Sequence, residues 1–366
     1  MRYWTLVLAL AIPAFCQDEV EDAGVIIRST TSLVQVRVVA TNSKGKPVLN
    51  LLRSDFQILD DRKAQPITLF RVEGRAQSQP AAVDGPTAGE KEERVTSGYA
   101  LIVLDWLNTP YFDRLRAQEH VIRLLKEFEP SQRVGVYLLG QAPRLIHDFT
   151  TDRGELIAAI EEAGLEPAAM DETKPAGLFD ASTGSRATPR PSAAEQMFFL
   201  NIRVKDSFHF LDLIAERLVH VPGRKSLIWL SNAFPTRING NVVAGAREAD
   251  ISYLRETEAL LAKLNRADVA VYPVDASGLV ASASRSYVGT MQELAERTGG
   301  TAFYARNDLH EGIRIAMEDG RDGYVLGFQV PAGELPGVHV LRVKVNRPGV
   351  TLRHRESYQL ETERGR

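Results

Sequence analysis

Tyr99-Ala-Leu-Ile-Val-Leu-Asp105-Trp-Leu-Asn-Thr109 is a continuous apolar run that stops abruptly at a carboxylate. Such a run reads as a central strand buried on both faces, because a half-exposed strand would alternate polar and apolar residues. Its C-terminal end delivers a carboxylate (Asp105), an amide (Asn108) and a hydroxyl (Thr109) to one edge of a sheet. In open α/β sheets, ligands bind in the crevice outside the carboxyl ends of the strands. This tip is therefore the first place to look for function.

Downstream, strands and helices alternate. Arg133–Gly140, Lys225–Ser231 and Asp268–Asp275 are further buried strands. Leu115, Val121, Ile122, Leu125 and Phe128 recur at helical spacing before Pro130. Thr151-Asp152 starts a second helix through Ile160. Met197, Val204, Phe208, Leu211 and Leu218 mark a long one, on which His209 and His220 are expected to be partly buried or capping. Ala249–Ala267, Tyr287–Thr298 and Asp308–Met317 read as helices, the second closed by Gly299-Gly300 in a left-handed cap. Thr301–Tyr304 is a short strand. Residues 164–194 are rich in Ala, Pro, Thr, Ser and Gly and form a flexible insertion.

Both ends of the chain are β. Leu33–Ala40 alternates, with Val34, Val36, Val38 and Ala40 on one face and Gln35 and Arg37 on a solvent face. Asp55–Asp60 and Pro66–Val72 follow as strands, with Asp60–Lys63 as a turn. Tyr324–Val330, Val338–Asn346 and Thr351–Leu360 close the chain, with Leu341, Val343 and Val345 on an apolar face. The basic cluster of Arg342, Lys344, Arg347, Arg353, His354 and Arg355 reads as a solvated face that protects an edge. The expected class is α/β: a doubly wound, mostly parallel sheet with a small β-sandwich module formed from the N- and C-terminal segments. Its parts are a signal peptide (1–16), an N-terminal β module (25–74), a linker (75–98), the α/β domain (99–322) and C-terminal strands (323–361). A separate C-terminal sandwich is the alternative.

Length, charge and cysteine content narrow the classes. The 366 residues carry 44 basic and 47 acidic side chains, net −3, so no basic excess supplies the phosphate-neutralising term of a nucleic-acid binder. One early Arg, a short apolar core and small residues up to Cys16 outline a secretory signal, and an exported, periplasmic or extracellular protein. Phe15 is a poor match to the small residue a lipoprotein signal needs, so simple cleavage is expected rather than a lipid anchor at Cys16. Cys16 is the one cysteine, which leaves the mature chain without a disulfide or a thiolate ligand. No apolar stretch is long enough for a transmembrane helix.

Gly45–Phe56, Leu104–Thr109, Leu227–Ser231, Asn265–Asp275, Leu294–Gly300 and Tyr324–Phe328, in that order, resemble the von Willebrand factor type A domain. The chain looks most like the exported bacterial von Willebrand factor type A-related proteins, abundant in acidobacteria. The resemblance implies binding or adhesion outside the cytoplasm. The family's metal-ion-dependent adhesion site uses Asp-x-Ser-x-Ser after the first strand, a Thr from a later loop and a further Asp; hydroxyl ligands leave a hard Mg²⁺ most of its charge for a partner's carboxylate. Here Asp105 and Thr109 hold the first and third positions, Leu107 stands at the middle hydroxyl, and Asn232 at the later Asp. Thr173 and Thr183 lie in the insertion that replaces the Thr loop. The site is degenerate, with Asp105 and Thr109 as its remaining ligands for a weakly bound Mg²⁺.

Catalytic motifs are lacking: no Gly-x-Ser-x-Gly, His-Glu-x-x-His or phosphate loop occurs, Pro222–Ser226 reads as a plain loop, and no histidines pair at metal-ligand spacing. Asp275 reads as a turn-forming residue on the same rim. The expectation is a non-enzymatic protein-binding module with no required cofactor, using Asp105, Asn108, Thr109, Ser231, Asn232 and Asp275 on a protein partner. The alternatives are a Mg²⁺-dependent adhesin and, third, a hydrolase of unrecognised type.

Overall fold

The computed structural model describes residues 32–73, 98–127, 132–140, 142–163, 192–232, 237–238, 251–280, 285–331 and 334–360. The expected leader with Cys16, the linker up to residue 97, and residues 164–191 with Thr173 and Thr183 lie outside the described residues. The chain opens with β1 (Ser32–Asn42), β2 (Phe56–Asp60), β3 (Lys63–Gln65) and β4 (Leu69–Glu73). Asp61 and Arg62 take positive φ (44° and 71°) in the turn between β2 and β3, the signature of a tight hairpin.

The α/β part follows: β5 (Tyr99–Asp105), α1 (Tyr111–Glu127), β6 (Arg133–Leu139), β7 (Pro143–Thr150), α2 (Arg153–Ala163), α3 (Ala193–Leu218), β8 (Lys225–Ser231), β9 (Arg237–Ile238), β10 (Ile251–Ser252), α4 (Leu254–Arg266), β11 (Val269–Asp275), α5 (Arg285–Thr298) and α6 (Leu309–Arg321). The sheet order is β11-β8-β5-β6-β7, so the decisive run is the middle strand. Its neighbours β6 and β8 are parallel to it, and β7 alone is antiparallel, at the edge. Successive residues of β5 face opposite sides. Ala100, Ile102 and Leu104 meet α1, α2 and α6, whereas Leu101 and Val103 meet α3, α4 and α5. The sheet is therefore doubly wound.

Two helices differ from the spacing-based reading. On α1 the buried face is Ala117, Val121, Leu124 and Leu125, and Leu115 is exposed, because the helix starts at Tyr111 and Arg114 turns inward. Helix α4 starts only at Leu254; Ile251–Ser252 before it pairs with β9. His209 and His220 are both exposed. The Asp152 start is confirmed: its Oδ1 accepts from Gly154 N (2.7 Å) and Glu155 N (3.1 Å). Thr301–Tyr304 reduces to one bridge, Val274 with Phe303. Among the described residues no helix is long and apolar enough to cross a membrane.

The chain then returns to the β module with β12 (Gly323–Val330), β13 (Gly337–Val345), β14 (Val350–Arg353) and β15 (Ser357–Leu360). The segment expected as one strand, Thr351–Leu360, is thus two, one in each layer. The layers run β14-β1-β12-β4 and β15-β13-β2-β3, each mixing N- and C-terminal strands. Val36, Val38, Ile58, Tyr324, Leu326, Phe328 and Leu341 fill the space between them. One sandwich built from both ends of the chain replaces the alternative of a separate C-terminal one.

Two expectations about charge are corrected where the sandwich meets the α/β part. Arg37 is buried and paired with Glu73 rather than solvated. Half of the basic cluster is also withdrawn from water. Arg353 on β14 pairs with Asp319 of α6 at 2.6 Å, and Arg355 donates to the carbonyls of Asn265 and Gln35, both at 2.7 Å. Arg224, in the loop before β8, donates to Gly299 O at 2.7 Å. Arginine suits this seam because its planar fork satisfies several carbonyl or carboxylate acceptors at once.

Candidate functional site

The parallel register of β5, β8 and β11 sets the site. Leu104 lies beside Leu230, and Ser231 beside Asp275, so Asp105, Ser231 and Asp275 end their strands in a row. The Asp105 side chain lies on the α3 side of the sheet, the side of Val103 and Trp229. It is 0% exposed and accepts four hydrogen bonds. Asn108 N reaches Oδ1 at 3.0 Å. Asn108 Nδ2 (2.9 Å), Trp229 Nε1 (3.0 Å) and Ser231 Oγ (2.8 Å) all reach Oδ2. Burial pushes this carboxyl up from its ordinary value, and the four donors pull against that shift. Asn108 also donates to Ser207 Oγ (2.9 Å), which ties the loop to α3.

Thr109 Oγ1 accepts from Asn232 N at 3.3 Å, and its carbonyl accepts from Arg114 Nε at 2.6 Å. Asn232 Nδ2 donates to Asp113 Oδ2 at 2.5 Å. The other oxygen of Asp113 pairs with Arg116, which also donates to the carbonyls of Ala276 (2.9 Å) and Ser277 (3.0 Å). Asp275 Oδ1 takes the N–H (2.9 Å) and hydroxyl (2.6 Å) of Ser277, the turn role expected of it. Burial pushes its carboxyl up as well.

All six expected residues therefore converge. Asp105, Thr109, Ser231 and Asp275 are buried, however, and only Asn108 and Asn232 are partly exposed. The tips of the strands bond to one another instead of to water. Trp229, Ser207, Asp113 and Arg116 were not singled out from the sequence. Trp229 alone carried a signal, since its place two residues before Ser231 puts its ring on the Asp105 face.

The donor set does not suit Mg²⁺. An octahedral ion needs free oxygens, but Asp105 Oδ2 already takes three donors and Oδ1 takes Asn108 N, and three of these four donors are N–H groups that cannot ligate a metal. Thr109 Oγ1 faces another N–H, and Leu107 packs into the apolar cluster below the loop.

Three exposed apolar side chains lie on the segments that follow β5 and β11. Phe112 is 81% exposed and Leu279 63%, and Tyr111 is also exposed. Phe112 lies one helical turn before Arg116, and Gly278, next to Leu279, is packed against Arg116.

No family model matches the chain, and no curated protein matches it. Among solved structures it is similar to an aerotolerance-related membrane protein of Bacteroides fragilis, at 14% identity over 60% of this chain and 98% of that one, TM-score 0.34. It is also similar to the VWA domain of SpRpn10 (10% identity, 59% and 94% covered, TM-score 0.29). A third similar structure is the PilB minor pilin of Streptococcus sanguinis (10% identity, 80% and 88% covered, TM-score 0.33).

Proposed function

We propose that this chain is an exported, non-enzymatic protein-binding module. It contacts its partner with the surface over the C-terminal ends of β5, β8 and β11, and needs no metal there. The observation that carries this reading is a rigid, internally bonded polar centre, Asp105 with its four donors, at the strand ends from which the segments bearing the exposed side chains of Tyr111, Phe112 and Leu279 continue. Exposed aromatic anchors fixed on a rigid frame are what protein interfaces use as hot spots.

The test is capture of partners from envelope extract by the wild type, by Phe112→Asp, and by Val338→Asp, a control on another exposed apolar residue, in the sandwich. The expected result is a band captured by the wild type and by Val338→Asp, lost with Phe112→Asp, and the same with or without added Mg²⁺. A band that needs Mg²⁺ would favour the cation-dependent adhesin. A band indifferent to Phe112→Asp would move the binding surface elsewhere.

A further inference from the structure

The hairpin between β2 and β3 meets β13 at three side chains that no local motif announces. Asp60 ends β2 opposite Leu341, so the next residue, Asp61, faces Val340. Asp61 N donates to Val340 O, and Val340 N donates back to Asp61 Oδ1, both at 2.9 Å. That exchange leaves Asp61 Oδ2 turned toward His339 Nδ1, 2.9 Å away, with Asp60 Oδ1 at 3.8 Å from the same nitrogen. One ligand atom from each residue lies within 4.8 Å of the others.

The hydrogen-bond inventory of this corner is incomplete. Asp60 and His339 are each 6% exposed, yet Asp60 Oδ1 and His339 Nδ1 have no aligned hydrogen-bond partner. Buried polar atoms are nearly always satisfied. The other ring nitrogen, Nε2, is 3.0 Å from Leu335 O, a carbonyl that can only accept, so Nε2 carries a proton. With Nε2 protonated, Nδ1 and the two carboxylates require a positive centre between them, either a second ring proton donated to Asp61 Oδ2 or a metal ion.

We propose that Asp60 Oδ1, Asp61 Oδ2 and His339 Nδ1 hold a divalent transition-metal ion of the Zn²⁺ kind, with water completing the shell. One imidazole and two carboxylates form a borderline donor set that favours such ions over Mg²⁺ or Ca²⁺. Tetrahedral Zn²⁺ places its ligand atoms about 3.3 Å apart, and the contacts at 2.9 and 3.8 Å bracket that value. The supporting groups are in place. Leu335 O fixes the tautomer, as outer-sphere carbonyls do for metal-bound histidine. Tyr358 donates to Asp60 Oδ2 at 3.0 Å and stacks its ring on His339 at 5.1 Å. Asp61 is half exposed and lines a cleft of about 500 Å³ with Leu59, Arg62, Val340 and Arg342, so this one of the three ligands is open to solvent. The ion ties a hairpin of the N-terminal segment to a strand of the C-terminal one, so binding it stabilises the sandwich.

The experiment uses the full chain without an affinity tag, stripped by chelator and titrated with Zn²⁺ near neutral pH. Calorimetry and thermal melting are read together, with the absorption of Co²⁺ as a report of ligand type. The expected result is one ion per chain, a saturable rise in Tm, and affinity reduced more than about tenfold in Asp61→Asn and abolished in His339→Gln. Asp61 is half exposed, so its variant folds and keeps the test valid if His339→Gln does not. Absence of heat and of any Tm shift up to millimolar Zn²⁺ overturns the proposal, and so does binding that Asp61→Asn leaves unchanged. A ¹⁵N spectrum showing His339 protonated on both nitrogens in the presence of Zn²⁺ would assign the centre to a proton and overturn it as well.

Discussion

Asp105 illustrates how a polar side chain at a strand end can serve as architecture. Asp105→Ala removes the shared acceptor of the Trp229 indole N–H, the Ser231 hydroxyl, Asn108 N and Asn108 Nδ2 in a fully buried site. The expected loss is about 3 kcal/mol, read by urea denaturation and unaffected by Mg²⁺. Lys225 makes a second prediction. Its ammonium is buried against Val221 O at 2.8 Å, and burial lowers its pKa to about 8, against the opposing pull of Asp268. The unfolded chain keeps this proton until near 10.5, so between those values the unfolded state binds more protons and stability rises with pH. Measured against Lys225→Met, the wild type gains up to about 3 kcal/mol as the pH is raised through this window. A constant difference between the two would show that the buried ammonium carries no penalty. At this scale the sequence identified which residues meet, because strand ends in a parallel sheet share one rim. It did not show that they are buried. Whether a polar tip faces water or another donor depended on Ser207 and Trp229, which lie far along the chain.

Among the elements, the turn after α5 is the most constrained. Gly299 has φ +78°, and a Cβ there would lie 2.7 Å from the backbone of His354; Gly300 N closes the helix on Ala295 O at 2.8 Å. Gly299→Ala therefore strains a left-handed residue and pushes the β14–β15 connection off the helix end. A loss of about 3 kcal/mol or more in chemical denaturation is expected, against about 1 kcal/mol for Gly45→Ala, which bears the positive-φ strain alone because its surroundings are open. Strands β5, β6, β8 and β11 were readable because their apolar runs are unbroken. Strand β7 was not: as an exposed antiparallel edge it carries Arg144, His147 and Asp148 and has no such run. The break between β14 and β15 falls at the all-polar His354-Arg355-Glu356, which contains neither glycine nor proline and so lacks a turn residue to mark it.

For the molecule as a whole, the seam of buried arginines decides whether the sandwich and the α/β part behave as one unit. Arg353→Ala leaves Asp319 buried without its cation, with an expected cost of about 3–5 kcal/mol. Adding Asp319→Asn to that variant should return a large part of the loss, because no unpaired charge then remains buried. Calorimetric melting of the single and double variants checks this, and equal losses in both would show that the pair's charge is irrelevant to docking. Composition and strand patterning revealed two β segments around an α/β centre. The seam escaped notice because a run of Arg and His at a strand end reads the same whether water or a carbonyl faces it.

The pairing of β1 with β12 joins Ser32 to Val330 and Val38 to Tyr324, across nearly the full length of the chain. During synthesis the first strands made must wait for almost the last ones before their backbone groups find partners. Their loop closes late, and until then their open edges are free to join with the wrong neighbour. Assembly finishes only when both β segments have been made, which makes the sandwich the final and most interruptible step of folding.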